Sequence, residues 1–123
     1  SLPEHVEKLS AYLAAKLERV RALSVVGDLR IDTAGKEAFL SGEPLDLTLR
    51  EYDLLSYLAR RPGVLVSKRE LMAEVWNQPY GGADKTVDVH LSWLRKKLGE
   101  TAAEPRYIHT RRGVGVRLID PES

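Results

Sequence analysis

The stretch from Asp84 to Leu98 combines apolar residues at helical spacing with cations and a tryptophan. Wound as a helix of 3.6 residues per turn, it places Val87, Leu91, Leu94 and Leu98 on one side, and that side requires a core. The opposite side mixes cations with apolar residues and consists of Lys85, Val89, Ser92, Trp93 and Lys96, flanked by His90, Arg95 and Lys97. This second side predicts a surface that binds a partner.

The charges are distributed unevenly along the chain. The formal net charge is only +1, but the segment from Lys85 to Arg117 carries eight lysines and arginines against three acids, a net charge of +5. The rest of the chain carries a net charge of −4. A basic segment on an acidic body is typical of a protein that offers one face to a polyanion.

The bulk composition excludes several classes of protein. With 123 residues, of which 43% are hydrophobic and 30% charged, the chain has the size and composition of one soluble globular domain. It has no cysteine, so disulfides and thiolate chemistry are impossible. No apolar run approaches the roughly 20 residues of a membrane span, and no signal-peptide core is present. We therefore expect a cytoplasmic protein without a membrane partner.

Catalytic constellations are also missing from the sequence. His5, His90 and His109 do not have the spacing of metal ligands, and the Gly113-Val114-Gly115 run precedes a predicted strand rather than the helix of a dinucleotide-binding motif. No nucleophile motif is present. We therefore expect no enzyme activity, no metal and no cofactor.

An amphipathic N-terminal helix is predicted over residues 4–23. Its apolar positions form a narrow stripe at heptad-like spacing, made of Val6, Leu9, Leu13, Leu17 and Val20. The helix either packs on its own domain or joins the chain to another domain or a second copy, and the spacing favours neither. We assign residues 1–23 to this helix and residues 24–123 to a separate domain.

Short extended segments follow the N-terminal helix. Four strands are predicted, at residues 24–26, 29–32, 37–40 and 45–47, and turn residues separate them. Strands this short with turns between them indicate a small antiparallel sheet.

Three helices and a hairpin complete the prediction. Thr48 and Glu51 form a capping box that begins a helix ending at residues 61–63, and Ser67 and Glu70 repeat the pattern before a helix at 68–76. Asp84 is predicted to cap the third helix, residues 84–98, which Gly99 ends. Strands at 106–110 and 114–119 then flank a basic hairpin tip.

Three helices followed by a basic hairpin are the element order of a winged helix-turn-helix, an α+β fold. On this layout the third helix can enter a major groove, and the hairpin, or wing, at residues 110–114 can reach a minor groove. Base edges are then within reach of Asp88, Val89, His90, Ser92 and Trp93, with Val89 suited to a thymine methyl group. Trp93 contacts either DNA or its own domain. Arg112 is the preferred minor-groove residue, with Arg111 as the second choice.

Three separated runs carry a family resemblance: LDLTLREYDLLSYLARRPGVLVSKRELMAEVW, TVDVHLSWLRKKLG and PRYIHTRRGVGVRL. Over about residues 24 to 120 the chain resembles the effector domain of OmpR/PhoB-type two-component response regulators. The resemblance implies a four-stranded N-terminal sheet, three helices and a C-terminal hairpin. It also implies a bacterial transcription regulator that binds direct repeats of double-stranded DNA as a head-to-tail pair.

The resemblance adds roles to named residues. The residues predicted to contact the DNA backbone, from the resemblance and from charge together, are Trp76, Lys85, Thr86, Arg95, Lys96, Lys97 and Thr110. The loop implied to contact RNA polymerase contains Gln78, Pro79, Tyr80, Gly81 and Gly82.

The sequence departs from the family pattern at three points. Trp93 stands where many relatives have arginine, so the guanine contact of an arginine is lost and a different DNA sequence is expected. Val116 stands where the family often has tyrosine. No receiver domain with a phospho-accepting aspartate precedes the effector, so control by a sensor histidine kinase applies only to a longer parent protein. A stand-alone regulator and a winged helix that binds only proteins are the competing hypotheses.

Overall fold

The computed structural model describes residues 6–13, 23–82 and 84–122. From residue 23 onward, an antiparallel sheet, three helices and a hairpin follow one another along the chain. The strands of the sheet are β1 (Leu23–Val26), β2 (Leu29–Asp32), β3 (Glu37–Leu40) and β4 (Glu43–Pro44). The helices are α1 (Leu49–Ala59), α2 (Lys68–Val75) and α3 (Thr86–Leu98). The hairpin strands are β5 (Ile108–Arg111) and β6 (Gly115–Leu118). This order confirms the predicted winged helix-turn-helix.

The N-terminal sheet has the order β1-β2-β3-β4, and all its neighbours are antiparallel. The first three strands match the prediction within one residue. The predicted fourth strand at 45–47 is wrong, because β4 already begins at Glu43. Ser41 and Gly42 both have positive φ angles, 52° and 84°, so the hairpin turns in two residues and pairing resumes at once.

Helix α1 begins at the predicted capping box. The Thr48 side chain accepts a hydrogen bond from the Glu51 backbone N–H at 3.3 Å, and the Glu51 carboxylate accepts one from the Thr48 N–H at 2.8 Å. Two otherwise unpaired backbone donors at the helix start are thereby satisfied. The inward face buries Leu54, Leu55 and Leu58 completely.

Helix α2 is capped by Ser67, whose hydroxyl accepts a hydrogen bond from the Glu70 backbone N–H at 3.0 Å. The repeated capping box is incomplete, because the Glu70 carboxylate accepts a hydrogen bond from the Tyr57 hydroxyl instead. The helix ends at Val75 and Trp76 is its C-cap, one residue earlier than predicted.

Helix α3 starts two residues later than predicted. Lys85 occupies the N-cap position without a side-chain hydrogen bond, and Asp84 lies one residue before it. The Asp84 carboxylate accepts hydrogen bonds from the Thr86 hydroxyl at 2.5 Å and the Thr86 backbone N–H at 2.9 Å, which lower its pKa. Asp84 thus satisfies a backbone donor at the helix start from outside the helix. The C-terminal prediction is confirmed, since Gly99 adopts the left-handed conformation with φ 80°.

The second strand of the hairpin pairs with the segment between α1 and α2. Val116 forms an antiparallel bridge with Val66, with both backbone hydrogen bonds at 2.8 Å. A Cβ atom on Gly115 would lie 2.3 Å from the Val66 carbonyl oxygen, so the close approach requires glycine. Both strands are shorter than predicted, and Val114, the first residue of the predicted second strand, lies in the turn and is exposed.

The core lies between the three helices, the inner face of the sheet and the hairpin. Its completely buried side chains come from every layer and include Leu29, Ile31, Leu54, Leu71, Leu94, Ile108 and Leu118. Val87 and Leu91 of α3 join them at 1% and 2% exposure. None of the described helices is long and apolar enough to span a membrane.

The N-terminal helix is described only in part. Residues 6–13 are helical and exposed. Leu23, predicted as its last residue, is instead the first residue of β1. The rest of the predicted helix, residues 4–5 and 14–22, lies outside the described residues, and so do Leu17 and Val20 of its apolar stripe.

Candidate nucleic-acid interface

The two faces predicted for the third helix are present. Val87, Leu91, Leu94 and Leu98 are buried against the core, whereas Val89, Ser92, Trp93 and Lys96 are exposed. The outward face therefore presents a cation, a hydroxyl and two apolar side chains on a rigid helix.

The first turn of α3 is tied to the start of α2. The Asp88 carboxylate lies 2.6 Å from the Lys68 ammonium, and both side chains are about one third exposed. Asp88 was predicted as a base-contacting residue, and the ion pair now occupies one of its oxygens. Lys85 is exposed at the N-cap, and Thr86 is half-buried with its hydroxyl bonded to Asp84.

Three aromatic rings form a row across the interface. The His90 ring lies 5.0 Å from the Trp76 ring and 5.1 Å from the Trp93 ring, with interplanar angles of 70° and 61°. These are edge-to-face contacts, the favourable geometry for aromatic pairs. His90 is further fixed because its Nδ1 lies 2.8 Å from the Thr86 carbonyl oxygen, which can only accept a hydrogen bond.

Arg95 is oriented into the protein rather than toward solvent. It is 8% exposed, and its guanidinium donates hydrogen bonds to the Ile108 carbonyl oxygen at 3.2 Å and the Thr110 hydroxyl at 2.8 Å. Burial lowers the pKa of Arg95, although the charge of Glu100 opposes this effect. This position does not support the prediction of Arg95 as a contact to the DNA backbone. Instead, Arg95 connects α3 to β5.

Lys97 is also occupied within the protein. Its ammonium group lies 2.9 Å from the buried Glu51 carboxylate and also donates to the Asp46 carbonyl oxygen. Its prediction as a DNA-backbone contact is not supported by this position, which joins α3 to the start of α1. Among the cations that follow Trp93 in α3, Lys96 is the one oriented to solvent without an ion pair among the described residues.

Sequence reasoning missed the residue that shapes the base of the hairpin. Glu100 is 6% exposed, and its carboxylate accepts backbone hydrogen bonds from Arg106 at 3.1 Å, Tyr107 at 2.9 Å and Ile108 at 3.2 Å. A buried carboxylate held by three N–H groups fixes the chain that enters β5. The available signal was an acid directly after the helix-ending Gly99, which is too common to be specific.

The hairpin tip is exposed and basic. Thr110, Arg111 and Arg112 are all exposed, and Gly113 has φ 79° at the turn. A groove of about 320 Å³ separates this tip from the start of α2. Its described lining contains four cations and no carboxylate. The lining residues are Ser67, Lys68, Arg69, Tyr80, Thr110, Arg111, Arg112, Gly113, Val114 and Gly115. Lys68 and Arg69, which the sequence did not identify, belong to this basic surface.

The loop between α2 and α3 is mostly exposed. Gln78, Pro79, Gly81 and Gly82 are exposed, while Tyr80 packs partly against the core and its hydroxyl donates to the Gly82 carbonyl oxygen at 3.2 Å. Tyr80 therefore holds the loop against the core, and the loop residues around it stay exposed.

The arrangement is suited to binding a polyanion. Among the described residues no group of histidines and acids can hold a metal ion. Cations flank an outward helix face that also presents apolar and hydrogen-bonding side chains. Such a surface can neutralise phosphates at its edges and contact base edges at its centre.

Comparisons with known proteins agree with this geometry. The family model described as "Transcriptional regulatory protein, C terminal" matches residues 42–118. The chain is 37% identical over 107 residues to the alkaline phosphatase synthesis transcriptional regulatory protein PhoP of Bacillus subtilis, covering 87% of this chain and 45% of that protein. It thus spans less than half the length of that relative.

Solved structures show the same fold. The DNA-binding domain of Klebsiella pneumoniae RstA, in complex with an RstA box, aligns with a TM-score of 0.76 at 34% identity, covering 80% of this chain and 97% of that one. The response regulator DrrB of Thermotoga maritima, described as an OmpR/PhoB homologue, aligns with a TM-score of 0.67 at 32% identity, covering 92% of this chain and 52% of that one.

Proposed function

This chain belongs to the OmpR/PhoB family of transcriptional regulatory proteins, and we propose that it binds specific duplex DNA with α3 in the major groove and the wing in the minor groove. Its role is the DNA-binding output of a response regulator. The similar RstA domain was solved with its DNA box, which supports this assignment.

One observation carries the proposal: the outward face of α3 and the wing tip belong to one basic surface. Lys68 joins them, because it pairs with Asp88 of α3 and also lines the groove beside Arg111 and Arg112. Lys85 and Lys96 extend the positive charge along α3. A face that bound only proteins would not require this concentration of cations.

The proposed contacts divide into two classes. Lys85, Lys96 and the Thr110 hydroxyl reach phosphates and set the register, with the Trp76 indole N–H as a further donor. The residues that read bases are Asp88, Val89, His90, Ser92 and Trp93. Arg112, with Arg111 beside it, enters the minor groove, where a narrow A·T-rich segment concentrates negative potential.

A salt titration tests the proposal. The logarithm of the DNA association constant should fall linearly with the logarithm of salt concentration, with a slope of about 0.9 per phosphate neutralised. Lys96→Gln and Arg112→Gln should each reduce the slope by about one. Lys36→Gln, which removes an exposed cation from the turn between β2 and β3, is the matched control and should leave it unchanged. A flat titration for the unaltered chain would refute DNA binding.

The partners of the whole regulator are further proposals. We propose that the exposed loop at residues 78–82 contacts RNA polymerase, with Tyr80 holding its shape. Two copies would bind direct repeats head to tail, or associate through the N-terminal helix. Control by a sensor histidine kinase would act through a receiver domain of a longer protein. The alternative, a protein-binding module, predicts no salt-dependent DNA affinity.

A further inference from the structure

The centre of the outward α3 face is apolar. Val89 is 40% exposed and Trp93 is 48% exposed. Residues four apart are neighbours on a helix surface, so the two side chains form one strip, with the cation Lys96 nearby. This apolar strip lies in the middle of the surface assigned to the major groove.

The indole of Trp93 is held in place before any partner binds. The row of rings from Trp76 through His90 reaches Trp93, and the hydrogen bond from His90 Nδ1 to the Thr86 carbonyl oxygen anchors the middle ring. A side chain already fixed in one position loses little conformational freedom on binding. Trp93 therefore presents a preorganised apolar plate rather than a flexible side chain.

The chemistry of the strip limits what it can recognise in a major groove. Valine has no hydrogen-bonding side-chain atoms, and tryptophan has one N–H donor and no acceptor. The apolar group that base pairs present in the major groove is the 5-methyl group of thymine. The four-residue separation of Val89 and Trp93 is about 6 Å along the helix, comparable with one to two base steps of about 3.4 Å.

We propose that Val89 and Trp93 together read the methyl groups of thymines in the target half-site, with His90 and Trp76 positioning the indole. This inference rests on the proposed DNA-binding function and deepens it by naming the chemical feature that is recognised. The binding site should contain thymines at the positions facing the strip, and their methyl groups, rather than their hydrogen-bonding edges, should carry the discrimination.

The experiment replaces single thymines by deoxyuridine in a duplex selected from random sequences. This change removes one methyl group and preserves base pairing. At one or two positions deoxyuridine should weaken binding about fourfold, the effect of one buried methyl group. At the remaining thymines the two bases should bind equally. Equal affinity for thymine and deoxyuridine at every position would overturn the inference.

Protein variants assign the effect to the strip. In Trp93→Ala and Val89→Ala the thymine preference should disappear at the position that each residue reads, whereas Lys36→Gln, an exposed change outside the DNA-binding surface, should retain it. His90→Ala should reduce the preference at the Trp93 position, although Trp93 remains. If Trp93→Ala weakens thymine and deoxyuridine duplexes equally, the indole contacts the sugar–phosphate backbone and the inference fails.

Different results would refute DNA binding and methyl recognition. If selection enriches no duplex and the salt titration is flat, the proposed DNA-binding function itself is refuted. If a duplex binds with the expected salt dependence but shows no methyl effect, DNA binding stands and methyl recognition is refuted.

Discussion

At the scale of single residues, Glu51 stabilises two connections at once. It is 1% exposed, completes the capping box of α1, and pairs with Lys97 of α3. Burial alone would raise its pKa, but hydrogen bonds from Thr48 and Lys97, together with the charge of Lys97, outweigh burial and hold the pKa below its ordinary value. The ionised form is thus favoured in the folded chain.

This shift predicts a pH dependence of stability. A carboxyl group whose folded pKa is depressed contributes stability above its unfolded pKa of about 4.3, and loses it as the pH falls through the lower folded value. Urea denaturation should therefore show stability falling below about pH 4.3, and Glu51→Gln should lose less over that range. Glutamine retains the capping-box acceptor, so the change isolates the charge. Glu43→Gln, exposed on β4, is the control, and an identical pH profile for Glu51→Gln and the unaltered chain would contradict the assignment.

Residue type did not separate the cations of α3 by role. Arg95, Lys96 and Lys97 are consecutive, yet one is buried against β5, one faces solvent and one pairs with Glu51. Helical periodicity predicted the leucine face correctly, because hydrophobic spacing is a local signal. The orientations of the Arg95 and Lys97 side chains depend on hydrogen-bond partners 13 to 51 residues away in the sequence, and helical periodicity carries no information about these partners.

At the scale of elements, the sequence located most helix starts and strand positions because caps and turns are local. Thr48, Ser67 and Gly99 were identified from type and position alone, and each has the predicted role. The predicted start of α3 was wrong because Asp84 lies outside the helix and bonds to Thr86 from there. The extra strand contact between Val66 and Val116, and the need for Gly115 beside it, come from tertiary packing.

The link between α3 and the wing gives a prediction for Arg95. Arg95→Ala removes two hydrogen bonds from a buried guanidinium and leaves the Ile108 carbonyl and Thr110 hydroxyl without these partners. We expect a loss of about 1–3 kcal/mol in the free energy of unfolding, measured in urea. Hydrogen exchange should accelerate in β5 and β6 more than in α1.

The neighbouring Lys96→Ala is the matched control for Arg95→Ala, since it removes an exposed cation from the same helix. Its effect on stability should stay within about 0.5 kcal/mol. If both variants lose the same stability, or if exchange accelerates uniformly across the domain, Arg95 does not specifically hold the wing.

For the whole molecule, the order of the elements along the sequence predicted the fold, and the charge asymmetry predicted the class of partner. Both signals are spread over many residues, so errors of one or two residues at element boundaries did not affect them. The basic surface in the structure nevertheless differs from the predicted one. It includes Lys68 and Arg69, which were not predicted, and it lacks Arg95, which is buried, and Lys97, which pairs with Glu51. A surface of this kind is assembled by folding and is not contiguous in sequence.

The described part of the N-terminal helix, residues 6–13, presents an exposed row of apolar side chains. Val6, Leu9 and Leu13 are each more than half exposed at spacings of three and four residues, which is the pattern of a coiled-coil seam. Exposed apolar side chains in one row favour burial against a second copy. We therefore expect the sedimentation coefficient of the full chain to rise with protein concentration.

The double variant Leu9→Gln with Leu13→Gln should abolish that rise, because it places polar groups on the seam while keeping residues that favour helix. Leu49→Gln, which changes a leucine that is 59% exposed at the start of α1, is the matched control and should preserve association. DNA binding to a single half-site should be unchanged in the double variant, since the seam lies outside the DNA-binding surface. A coefficient independent of concentration for the unaltered chain would exclude the helix as a dimerisation element, leaving the head-to-tail arrangement on repeated DNA as the route to a pair.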